Sequence, residues 1–129
     1  MIYELSNGTL SVKINSLGAE LISAKRGEVE YIWDGDTKWW DDKAPVLFPI
    51  CGRLPEKKYS YGGKFYDMDI HGFAWKSEFA VKESSQTRLV LELSEKYDTP
   101  VIFRTTTKLS HSQSIVEPGE RIEVSKTYE

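Results

Sequence analysis

The chain has 129 residues and a formal net charge of −3 at pH 7. That length fits one domain with a modest core. Apolar residues make up 40% and charged residues 29%, the balance of a globular protein rather than a disordered one. The 17 Lys and Arg are scattered, so no basic field marks the chain as a binder of nucleic acid or of an anionic membrane. One cysteine excludes an internal disulfide, and the place of Cys51 in an apolar run predicts a buried small hydrophobe. Met1-Ile2-Tyr3-Glu4 lacks the start of a secretory leader. No apolar run approaches the roughly 20 residues of a membrane span, so a soluble, cytoplasmic protein is expected.

In chain order, 2–6 and 9–15 read as strands joined by Asn7-Gly8, a pair that suits a type I′ hairpin turn. Leu10, Val12 and Ile14 alternate with polar residues, which predicts one buried and one wet face. Further strands are expected over 19–25 and 28–33, around Arg26-Gly27. Residues 34–44 are acidic and tryptophan-rich without periodicity. They predict a loop or a single helical turn, with Asp34, Asp36, Asp41 and Asp42 solvated and forming Asx turns. The run 45–51 carries Pro45 and Pro49, so it suits an edge strand or an irregular segment. Residues 57–61 and 64–68 flank Gly62-Gly63 as a second tight hairpin. Asp69 to Phe73 follows as a loop or bulge.

Strands are expected over 77–83 and 87–94, with Leu89, Leu91 and Leu93 on one face. Residues 101–109 alternate, with Phe103 and Leu109 on one side, and 110–114 are polar. Glu117-Pro118-Gly119-Glu120 predicts a turn before a last strand over 121–128. Nine or ten short strands without helical periodicity predict an all-β antiparallel sandwich over 1–129.

Two glycine-flanked groups stand out. Arg53 follows Gly52 at the end of the apolar run; it is either a surface charge or a planar fork of donors for a ligand's oxygens. His71 lies between Ile70 and Gly72-Phe73; it is either a hydrogen-bonded structural histidine or an acid-base group. Two histidines and one cysteine cannot assemble the usual N/S zinc set within one chain. The D-x-D-x-D-G calcium loop, P-loop, dinucleotide fingerprint and nucleophile elbow are absent from the sequence. Neither metal nor cofactor is expected. Trp39 and Trp40 could cap the core or wall a pocket, since an aromatic face covers the C–H face of a pyranose.

The segments SNGTLSVKINSLGAEL, YIWDGDTKWWDDKAPVLFPICGRL and KYSYGGKFYDMDIHGFAW resemble the aldose 1-epimerases, the galactose mutarotase-like proteins, and among them the LacX-like branch. The resemblance runs from the start to about Leu109, and 114–129 resembles the family's closing turn and strand. It implies a shortened form of the family's large β-sandwich, without the central and later portion. It further implies interconversion of the α and β anomers of a hexose. A base takes the anomeric hydroxyl proton, an acid protonates the ring oxygen, and the ring opens and recloses. On the resemblance, His71 is catalytic and contacts substrate, Arg53 binds substrate and Phe73 shapes the pocket. The partner is a small-molecule sugar.

The chain also departs from the family pattern. Trp75 stands where that branch usually has arginine. His111, the second histidine, does not match the family's second one in context. Glu117 precedes a proline as the catalytic glutamate does in some relatives, but Glu-Pro-Gly-Glu suits the closing turn better. A second chain could supply the base, because a shortened sandwich exposes strand edges that favour a homodimer. Two alternatives to the enzyme stay open: a non-catalytic carbohydrate-binding remnant, and a structural or interaction domain.

Overall fold

A computed structural model describes residues 1–106 and 111–129, with side chains described outside 104–113. Eleven strands are found among the described residues: β1 Ile2–Ser6, β2 Ser11–Asn15, β3 Glu20–Arg26, β4 Val29–Glu30, β5 Lys58–Tyr61, β6 Lys64–Asp67, β7 Ala80–Ser84, β8 Leu89–Lys96, β9 Val101–Thr106, β10 His111–Val116 and β11 Arg121–Tyr128. The expectation that Leu109 shares a side with Phe103 falls on a residue outside the described ones.

All strand pairs are antiparallel. One sheet runs β1-β2-β3-β4 and another β11-β8-β7; β9-β10 and β5-β6 are separate hairpins. Apolar residues of the two larger sheets meet in one core. Leu5 and Ile14 come from the first, Leu89, Leu91 and Leu93 from the second, and Phe79 and Ala74 from the segment leading into β7. Leu89, Leu91 and Leu93 are 0%, 0% and 2% exposed, as their alternation requires. Each such burial is worth about 1.5–3 kcal/mol against exposure. β11 pairs with β8 along all eight of its residues and adds Val124 and Tyr128 to the core.

Several local expectations are met. Glycines 62 and 63 carry φ of +57° and +75° in a two-residue link between Tyr61 and Lys64. Gly119 has φ +84° and the Glu120 amide donates to the Glu117 carbonyl, closing the expected turn. The 34–44 segment makes one turn, in which the Trp39 and Trp40 amides donate to the Asp36 carbonyl. The Asp36 amide donates to Asp34 Oδ1 and the Lys38 amide to Asp36 Oδ1, both Asx turns.

Others are corrected. The β1–β2 hairpin exists, but its link spans residues 7–10, and Asn7 lacks the positive φ that a type I′ turn needs. Asn7 Oδ1 instead accepts from the Thr9 and Leu10 amides. The strand expected over 28–33 ends at Glu30 because of its own carboxylate: Oε1 accepts the Ala24, Tyr31 and Ile32 amides. Those bonds and Ser23 Oγ hold the Glu30 carboxyl down at about 2, with the Ser23 bond the largest cause. β10 has a polar start that carries no strand signal; pairing with β9 supplies the ladder its side chains do not announce. No helix among the described residues is long and apolar enough to cross a membrane.

Candidate functional site

The run Pro45–Cys51 is irregular, and its one bridge joins Phe48 to Gly72. The Phe48 carbonyl accepts both the Phe73 and Ala74 amides, at 3.0 and 3.2 Å. This contact leaves no room at Gly72: a Cβ there would lie 2.3 Å from the Phe48 oxygen and 2.5 Å from Pro49 Cδ. Gly72 also has φ +75°, where a side chain is strained. Glycine is therefore required twice over, and the histidine-bearing loop is clamped to the arginine-bearing one.

A second clamp lies one residue away. The His71 amide donates to the Gly52 carbonyl at 2.8 Å, and the Gly52 amide donates to His71 Nδ1 at 2.9 Å. An Nδ1 that accepts a hydrogen bond carries no proton, so the neutral imidazole holds its proton on Nε2. Nε2–H is a donor aimed away from Gly52. His71 adopts φ +60°, unusual for a residue with a Cβ. Trp75 stands edge-on to the imidazole at 6.5 Å between ring centroids.

Among the described residues, two cavities adjoin this junction, one lined by Phe48 and Pro49 and the other by His71. The larger is an open cleft of about 820 Å³, walled by Leu47, Phe48, Ile50, Met68, Ile102 and Phe103 and bearing Arg53 and Cys51. The smaller, of about 170 Å³, is lined by Trp40, Asp42, Lys43, Leu47, His71 and Trp75 among others. Arg53 and His71 thus belong to adjoining cavities, with Leu47 common to both. Phe73 lines neither. It packs against Phe48 at 5.8 Å and Tyr97 at 4.3 Å between centroids, supporting the wall of the larger cleft from behind.

Cys51 corrects its expectation: it is exposed. Gly52, at φ +95°, turns the chain towards His71, and Pro49 takes the buried position in the run instead. Asp42 is half-buried and shares a cavity with His71, so it is not the freely solvated loop residue expected. The loop that carries it is stitched to β3 and to the turn before it: the Lys43 amide donates to Glu20 Oε1, Lys43 Nζ to the Ile22 carbonyl, and the Val46 amide to the Gly18 carbonyl. No sequence pattern marks Asp42, because long-range bonds to β3 bring it there. Glu117 lies in neither cavity and its carboxylate accepts from Tyr61 Oη. The backbone of His111 pairs with Thr106 at the start of β10.

A model of the aldose 1-epimerase family matches residues 1–125. The chain belongs to the aldose 1-epimerase family. Two LacX proteins of Lactococcus lactis subsp. lactis, one plasmid-encoded and one chromosomal, are 33% identical over 102 residues, covering 72% of this chain and 33% of theirs. A galactose mutarotase related enzyme from Lactobacillus acidophilus superposes with TM-score 0.71 at 36% identity, over 74% of this chain and 32% of that one. A galactose mutarotase-like protein from Lactobacillus casei ATCC 334 gives TM-score 0.73 at 27% identity, over 89% and 43%. The chain thus spans about a third of the length of the LacX proteins. The antiparallel β fold of the family is present in it.

Proposed function

We propose that this chain binds a hexose and acts as an isomerase of the aldose 1-epimerase type, in carbohydrate metabolism. The observation that carries the reading is the bond from the Gly52 amide to His71 Nδ1, which leaves Nε2–H as a fixed donor beside the Arg53 cleft. In the reaction, Nε2–H would donate a hydrogen bond to the ring oxygen as the bond from that oxygen to C1 breaks, and that oxygen would take its proton from solvent. A base would take the anomeric hydroxyl proton as the C1 carbonyl forms. Rotation about C1–C2 and the reverse transfers close the other anomer. Arg53 would hold sugar hydroxyls through its fork of donors, and Phe73 would hold the wall. Asp42 is the carboxylate that shares the cavity with His71 and is the first candidate for the base. A partner copy docked on the exposed edges of the sheets is the other source of one. The chain is read as one β-sandwich unit, 1–109 forming the family's first half and 114–129 its closing strand.

A second reading, carbohydrate binding without turnover, is favoured by the pairing of Glu117 with Tyr61, which occupies the other carboxylate weighed as a base. NMR exchange spectroscopy on equilibrated galactose, then glucose, separates the two. Cross-peaks between α and β anomeric protons above the buffer rate, lost in Asp42→Asn, support the enzyme with Asp42 as base. Binding without exchange supports the second reading. Neither binding nor exchange overturns both.

A further inference from the structure

The chain exposes more surface than a folded monomer of its mass should. Its accessible area is 8805 Å², whereas a monomer of 14.8 kDa is expected to expose about 7,000 Å². The difference, about 1,800 Å², exceeds the roughly 800 Å² that each partner buries in a standard interface. The fold thus leaves uncovered about the area that a large dimer interface would cover.

The strand pattern shows where part of that surface lies. β9 and β10 form a hairpin that joins no larger sheet. Two strands alone are marginal in water, and a third is normally needed. β10 takes one edge of β9, and among the described residues no strand takes the other. The free edge opens into the larger cleft. Ile102 and Phe103 are consecutive, so their side chains leave β9 on opposite faces, yet both line that cleft. The cleft therefore curls round the edge of β9 rather than lying on one face. Phe103 packs on Phe48, 5.2 Å away between ring centroids. Ile102 faces the other way, beside Ile115 of β10, which is 42% exposed. An unpaired edge flanked by exposed aliphatic groups is a template for a further strand.

The sequence of β9 suits a copy of itself. Two identical strands pair antiparallel about a twofold axis, and each face stays on its own side when the axis passes through one residue. Centred on Ile102, that pairing opposes Ile102 to itself and Val101 to Phe103, all apolar. Ile115 already faces Ile102 across the hairpin, so one face would carry a row of four isoleucines across four strands. On the other face, Val116 and Val101 of one copy would continue into Phe103 of the next.

We infer that the free edge of β9 is the docking surface for a second copy of this chain, paired antiparallel about a twofold axis at Ile102 in a four-stranded β10-β9-β9-β10 sheet. The edge is the one on which the partner copy considered above would dock, and the pairing needs no bound sugar. The two Arg53 clefts then meet across the axis.

Sedimentation velocity of the full chain, up to about 100 µM, is expected to show a species of twice 14.8 kDa. Ile102→Lys sets two ammonium groups against each other at the axis and should weaken association at least roughly tenfold. Ile102→Cys in a Cys51→Ser background is the second measurement. A residue facing itself across antiparallel strands stands about 4.5–5.5 Å from its mate between Cα atoms, within reach of a disulfide. Oxidised glutathione should convert this variant to a covalent dimer. It should leave Val81→Cys uncrosslinked in the same background, because Val81 lies on the β7 edge beside Lys82 and Glu83. Where Ile102→Lys fails to fold, the cross-link decides. A single-chain mass at every concentration would overturn the inference. So would a dimer that Ile102→Lys leaves unchanged, or one cross-linked through Val81→Cys and not through Ile102→Cys. Sugar binding, present or absent, changes none of these outcomes.

Discussion

Gly72 joins the two loops of the site, and its substitution by alanine has a matched control in the same chain. Gly72 and Gly63 share φ +75°. A Cβ on Gly63 meets nothing within 4 Å, whereas one on Gly72 would lie 2.3 Å from the Phe48 oxygen. In both variants the left-handed backbone costs about 1–2 kcal/mol. In both, the loss of unfolded-state freedom returns about 0.4–1 kcal/mol. Only Gly72→Ala adds the cost of forcing atoms into occupied space, about 1–3 kcal/mol. The difference between the variants is therefore that steric term. With a urea slope of about 2 kcal/mol/M, Gly72→Ala should unfold about 0.5–1.5 M below Gly63→Ala. Parallel urea titrations by circular dichroism measure it. Midpoints within about 0.2 M of each other would refute the close approach of the two loops, and with it the placement of His71 beside Gly52.

His71→Asn should abolish the response of NMR signals to galactose while leaving the urea midpoint within about 0.5 M of wild type, because asparagine tolerates the positive φ at this position. A retained response would make His71 structural. Arg53→Lys should weaken galactose binding severalfold, since an ammonium cannot reproduce a planar fork of donors. Unchanged affinity in the same titration would remove Arg53 from the site. Tyr128 donates to the Ala19 carbonyl at 2.6 Å, and burial, helped by Glu20, pushes its hydroxyl up to about 12. The folded state thus favours the neutral phenol. The stability this provides is full below the ordinary tyrosine value near 10 and is lost as pH rises from there through about 12. Tyr128→Phe should flatten the fall of thermal stability over that alkaline window. A fall as steep as that of wild type would show that Tyr128 does not cause it.

Much of the scaffold was legible because its signals are local. Alternation placed Leu89, Leu91 and Leu93 on the buried face of β8, and Gly62-Gly63 and Pro118-Gly119 set turns through their own backbone preferences. Where local expectation failed, a distant partner or a side chain's own bonding prevailed. β10 becomes a strand through its pairing with β9, and at the end of β4 the Glu30 carboxylate takes the Ala24 and Ile32 amides. Cys51 is exposed because the turn at Gly52 is directed by a contact 19 residues away in sequence.

The sequence by itself determined the fold class and the family wording, and it singled out Arg53 and His71, the two residues proposed for the site. Tertiary structure decided where those residues stand and what surrounds them. It placed them in adjoining cavities rather than one, fixed the His71 proton on Nε2 through the Gly52 amide, set Phe73 behind the wall, and brought Asp42 and two indoles alongside the imidazole. Spacing along a chain reports a residue's own backbone and face. Which proton is free, and what lies across a cavity, depends on groups that meet only once the sheets have packed.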